Sequence, residues 1–154
     1  MSPVLALIGF VGLCLLVCAA DVALVSGPER GWYLSLTPPP GTPPAWLFGP
    51  LWASLYLLMG VAVWLVWKRA VSPHPLRLWG WQLALSSLWI PAFFALRSEL
   101  LAVAVVLVLI PVLALTLRSF RRISRTAAYL VVPYLTWSLY ALYLNAGFCW
   151  LNPG

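Results

Sequence analysis

Three short runs of this sequence place aromatic and amide side chains at helical spacing in apolar surroundings. Gln82, Ser86, Trp89 and Phe93 fall at i, i+4, i+7 and i+11. Trp137, Ala141 and Asn145 fall at i, i+4 and i+8, and Trp52 and Tyr56 at i and i+4. Each set occupies one face of a helix. Gln82 and Asn145 are costly in an apolar medium and are expected to face inward. Together the stripes could line a pocket with a flat aromatic wall, a small floor at Ala141 and two or three hydrogen-bonding groups, the usual composition of a ligand site. Ordinary helix packing fits the same spacing, with Gln82 and Asn145 bonded to each other or to backbone, and spacing alone leaves the two readings level. Conventional hydrolytic or metal chemistry finds no support: there is no Ser-His-Asp set, acid pair or metal cluster, and only three acids occur. His74, flanked by prolines in a basic loop, is expected to be solvated.

The elements that must position these residues follow from composition. Apolar residues make up 64% of the chain and charged residues 8%, against roughly 25% charged in a soluble domain. The long apolar segments point to an all-α integral membrane protein, and a barrel would instead show short alternating ones. The expected architecture is a bundle of five transmembrane helices over about 3–25, 46–67, 76–96, 100–119 and 126–150, in a single domain spanning 1–154. Twenty residues at ~1.5 Å each cross a ~30 Å bilayer. The first segment lacks a basic leader and a cleavage site, so it reads as a retained helix. Its Gly9, Gly12, Ala19 and Ala20 would allow close packing, and Asp21 near its end reads as interfacial. Cys14 and Cys18 read as small buried hydrophobes; with Cys149 they form no disulfide or metal pattern. Pro50 falls near the first turn of the second helix, and Pro91, Pro111 and Pro133 suggest kinks in the next three. Trp46, Trp64, Trp67, Trp79, Trp81 and Trp150 lie at helix ends, where an aromatic belt forms.

The net charge is +6, but the basic residues sit at segment ends and read as topology signals and lipid contacts; no nucleic-acid motif occurs. With five spans, one side holds Lys68, Arg69 and Arg77, and a basic loop of Arg118, Arg121, Arg122 and Arg125. The other side holds Arg30 and Arg97. This places the N-terminus in the cytoplasm and the first loop and C-terminus outside.

That first loop, 26–45, is the segment the rest is arranged around. Prolines 38, 39, 40, 43 and 44 exclude a helix or a central strand, so TPPPGTPP is expected to be stiff and extended. With Trp32, Tyr33, Trp46 and Phe48 around it, it reads as a lid over a site, the alternative being a Pro-rich turn that merely caps two helices.

WYxxLxxPxxxPPxWxFGPxWxxLY from Trp32 to Tyr56, QLxLxxLWxPxFF from Gln82 to Phe94, and PYLxWxxxAxxLN from Pro133 to Asn145 resemble the TspO/MBR family. These are the bacterial tryptophan-rich sensory proteins and the mitochondrial translocator protein. The resemblance covers almost the whole chain. It implies a multi-pass protein of the bacterial cell membrane, commonly a homodimer, that binds porphyrins such as protoporphyrin IX or haem as ligands rather than as a required cofactor. It places Tyr33, Trp52, Tyr56, Gln82, Ser86, Trp89, Trp137 and Ala141 in the pocket; Phe93 and Asn145 join them by periodicity. It also implies two alternatives to binding. One is light-dependent porphyrin breakdown, with Trp52, Trp89 and Trp137 as the candidate reacting residues, and the other is transport of porphyrins or sterols. Ser86 stands where the family usually has Asn. Thr37, Pro39 and Pro40 replace the usual Lys and aromatic of the lid, removing a cationic partner for a porphyrin carboxylate. Nothing basic follows Tyr140 or Tyr143, so the usual cholesterol motif is absent.

Overall fold

The computed structural model describes residues 1–154, and all of its regular structure is helical. The elements are α1 (Pro3–Val25), α2 (Arg30–Ser35), α3 (Ala45–Trp67), α4 (His74–Ile90), a π-helical turn (Pro91–Ala95), α5 (Glu99–Ile123) and α6 (Arg125–Leu151). Serines start three of them: the hydroxyls of Ser2, Ser98 and Ser124 accept from the N–H of Leu5, Leu101 and Ala127 at 3.2, 3.1 and 3.2 Å. Pro3 and Pro75 sit in first turns, where a missing N–H is harmless.

α1, α3, α5 and α6 are long and apolar enough to cross a membrane. The helices form a ring in the order α1, α3, α6, α5, α4, with α4 closing against α1. Tyr56, Met59, Leu113, Phe120 and Tyr134 are buried along its axis, while Leu16, Leu107 and Leu139 point outward, as lipid contact requires. Cys14 and Cys18 are buried as small apolar groups.

Several expectations are corrected. The segment 76–96 is not one helix: α4 has 17 residues and gives way to the π turn. Pro91 has no N–H for the carbonyl one turn back, and the chain rewinds with the Leu96 N–H on the Pro91 carbonyl at 2.9 Å. The wider turn buries Ala92, Phe93 and Phe94 in succession. The basic loop is not a loop either. Arg118, Arg121 and Arg122 lie on α5, and Ser124 alone, in extended conformation, separates α5 from α6. His74 opens α4, although it is exposed as expected. Pro50 lies beyond the first turn of α3.

The small residues of α1 do not make its contacts. Gly9, Gly12, Ala19 and Ala20 are exposed. Close approach comes from the partner helix: a Cβ on Gly60 would lie 2.8 Å from the Val11 Cα. Trp79 is not in an aromatic belt; it is 7% exposed, with Phe10 edge-on at 5.6 Å. Nor is Asp21 interfacial. It is buried, and its Oδ2 accepts from the Tyr56 hydroxyl at 2.7 Å. A carboxylate on the inward face of α1 escapes lipid only by taking a donor from α3.

Candidate ligand-binding site

A space of about 320 Å³ against Leu36, Pro38 and Pro43 of the lid touches no tryptophan; the tryptophans border two others, of about 280 Å³ and about 40 Å³. The larger opens between the end of α1, α2 and the start of α3, and includes Cys18, Asp21, Arg30, Trp46 and Trp52. The smaller lies deeper, against Trp137, Ala141, Asn145 and Phe148 of α6. Tyr33, Phe48 and Trp89 line both and form the partition between them.

The three tryptophans converge. The Trp52 and Trp89 rings stack at 5.8 Å and 29°, and Trp137 stands edge-on to Trp52 at 6.2 Å and 86°. Phe93 continues the stack beyond Trp89 at 5.9 Å. Trp89 Nε1 donates to Asn145 Oδ1 at 3.3 Å, while Asn145 Nδ2 donates to the Ala141 carbonyl. Trp137 borders the inner cavity, while its Nε1 is enclosed by the protein and has no acceptor there.

Of the ten residues read as pocket-lining, seven border one cavity or the other. Tyr56, Gln82 and Ser86 border neither. Tyr56 is engaged by Asp21; Ser86 donates to the Gln82 carbonyl and pairs with the Tyr134 hydroxyl; Gln82 Nε2 donates to Met59 Sδ. These three build the polar floor beneath the tryptophans. Sequence reasoning missed Asp21, Arg30 and Phe148. Phe48 and Trp46, also overlooked as lining, carried a signal, since both stand in the Pro-rich aromatic run.

The lid is more ordered than its composition implies. Residues 30–35 of the expected loop form α2, because packing outweighs the nearby prolines: Tyr33 lies against Phe93, Phe94 and Phe148 at 6.1, 5.4 and 5.7 Å. Burial also raises the Tyr33 phenol above its ordinary value, keeping it a neutral donor. The TPPPGTPP run is extended as expected, apart from a turn with Pro40 and Gly41 at its centre. Gly41 has φ +84°, and Thr42 N–H bonds the Pro39 carbonyl at 3.2 Å, the pattern of a type II turn. Four residues of α6 and its end hold this turn. The Tyr143 hydroxyl donates to the Pro40 carbonyl at 2.7 Å and that of Tyr140 to the Gly41 carbonyl. Asn152 bonds both backbone groups of Thr37, at 2.8 and 3.1 Å. Pro39 sits on Gly147, where a Cβ would come within 2.6 Å of its ring. Arg97 pairs with Glu29 at 2.7 Å on the other flank.

Fold and site thus define a class: a multi-pass helical membrane protein with a tryptophan-lined cavity under a tethered proline-rich lid. The chain belongs to the TspO/MBR family, whose model matches residues 10–151. It is 36% identical over 147 residues to the tryptophan-rich protein TspO of Chlorobaculum tepidum, covering 93% of each chain. It is 39% identical over 114 residues to the tryptophan-rich sensory protein of Cereibacter sphaeroides, covering 74% of this chain and 72% of that one. With the human translocator protein it shares 35% identity over 133 residues, 83% and 79% of the two chains.

Proposed function

We propose that this protein is a sensory receptor that binds porphyrins, protoporphyrin IX among them, and related flat apolar ligands in the lidded cavity. The observation that carries the reading is the Trp52–Trp89 stack, with Trp137 edge-on and its indole N–H unused. Rings so arranged offer aromatic surface to a planar macrocycle, and each aromatic contact contributes about 1 kcal/mol. The larger cavity, about 280 Å³, stands at the lower edge of ligand pockets, roughly 300–1,000 Å³. A tetrapyrrole therefore enters by swinging the Phe48–Trp89 partition aside and joining the two cavities. A free-base ring suits the site better than haem held by imidazole. The one histidine, His74, starts α4, and Ile90 at its other end lines the cavity, about 24 Å away along the axis.

The same reading has five crossings, with α4 and the π turn together as the third, and a homodimer in the bilayer. The test is a tryptophan-quenching titration of the purified protein with protoporphyrin IX in the dark. Saturable quenching that weakens about fivefold in Trp52→Ala is expected; quenching that rises linearly in both, as for pigment dissolved in detergent, would refute the reading.

A further inference from the structure

Asp21 is the one acid that lines the larger cavity. It is 8% exposed, and its only hydrogen bond is the one Oδ2 accepts from Tyr56 at 2.7 Å. Oδ1 has no donor in the protein, yet it is absent from the fully enclosed unpaired atoms, which are those of Trp79, Gln82 and Trp137. A molecule the size of water therefore reaches it, and Asp21 borders the cavity. No cation of the chain neutralises it: the single ion pair joins Arg97 to Glu29. Arg30 lines the same cavity from α2, exposed at its mouth. The cavity is thus polarised, with an acid at its buried wall, a guanidinium at its rim and aromatic rings between. A carboxylate held in apolar surroundings with one donor is costly, and a ligand that brings a cationic donor relieves that cost.

We infer that Asp21 is a specificity-determining residue that selects aromatic ligands carrying a protonated amine, directed toward α1, over ligands that present a carboxylate there. This rests on the reading of the cavity as the ligand site. It adds that anionic groups of any ligand are turned outward, toward Arg30.

The test uses two probes with one ring system, 1-naphthylmethylamine and 1-naphthylacetic acid, titrated into the purified full-length protein in detergent and followed by calorimetry. Protoporphyrin IX is titrated into the same samples. The wild type is expected to bind the amine at least about tenfold more tightly than the acid. Asp21→Asn, which keeps an acceptor for Tyr56, is expected to remove that preference while protoporphyrin still binds. Asp21→Ser serves if the Asn variant does not accumulate as a folded monodisperse protein. No saturable amine binding to wild type, no preference, or a preference that survives both substitutions would overturn the assignment. Loss of preference in the variants without any protoporphyrin binding would uphold the role of Asp21 and refute the porphyrin reading alone.

Discussion

Ala141 leaves the inner cavity open because its side chain ends at Cβ. The space above it is only about 40 Å³, and the extra carbons of a leucine would fill it. Ala141→Leu is therefore expected to lower protoporphyrin affinity about tenfold or more, with helicity and elution volume unchanged, since overpacking at a cavity wall costs ~1–3 kcal/mol. Unchanged affinity would mean that the ligand never reaches α6. Trp137 sits one turn before Ala141, and its role separates binding from chemistry. Indole is readily oxidised beside an excited pigment. If the protein only binds, wild type and Trp137→Phe lose porphyrin alike under illumination, at the rate of pigment in detergent. Faster loss in wild type, through a discrete product and at equal dark affinity, would make the protein a photo-oxidative enzyme.

Between elements, two glycines set contacts that no other residue permits. Gly60 lets α3 lie on the backbone of α1 at Val11. Gly60→Ala must push the helices apart, and thermal unfolding in detergent should report a loss of about 1–3 kcal/mol. Gly147 is the seat of Pro39, and Asn152 ties down Thr37. Gly147→Ala combined with Asn152→Ala is expected to free the lid while leaving the bundle folded. Amide exchange at Thr37 and Thr42 should then quicken, with α5 unaffected, and bound protoporphyrin should dissociate faster. Equal exchange in wild type and variant would show that Gly147 and Asn152 are not what holds the lid, leaving that to Tyr140, Tyr143 and α2. The tyrosines that lack a following basic residue have a different task here: Tyr140 and Tyr143 carry the lid backbone on their hydroxyls.

At the scale of the molecule, charge predicts a direction in the bilayer. Seven basic residues lie toward the end of the bundle that holds the α3–α4 and α5–α6 connections, and two toward the lid. A topology reporter fused after Gly154 is expected to score outside the cytoplasm and one fused after Ser72 inside it. The reverse result would overturn the orientation and place the cavity mouth on the cytoplasmic side.

The sequence by itself determined the membrane class, the boundaries of the long helices to within a few residues outside 76–96, though not the short α2, and which faces of α3, α4 and α6 turn inward. Those properties are local: apolar length, proline positions and the helical repeat are written along one segment. The motifs around Trp52, Trp89 and Trp137 also made the family legible. Only the tertiary structure decided which inward faces meet a cavity and which meet each other. Gln82 and Ser86 share a stripe with Trp89, yet they turn to Met59 and Tyr134, because those partners come from other helices. Asp21 is buried because Tyr56, 35 residues on, reaches it, and the lid is held from α6 across 99 and 103 residues. Periodicity gives each helix a direction to face, whereas the ring order of the bundle supplies what it faces, and that order depends on contacts such as Gly60 on Val11 that no single segment encodes.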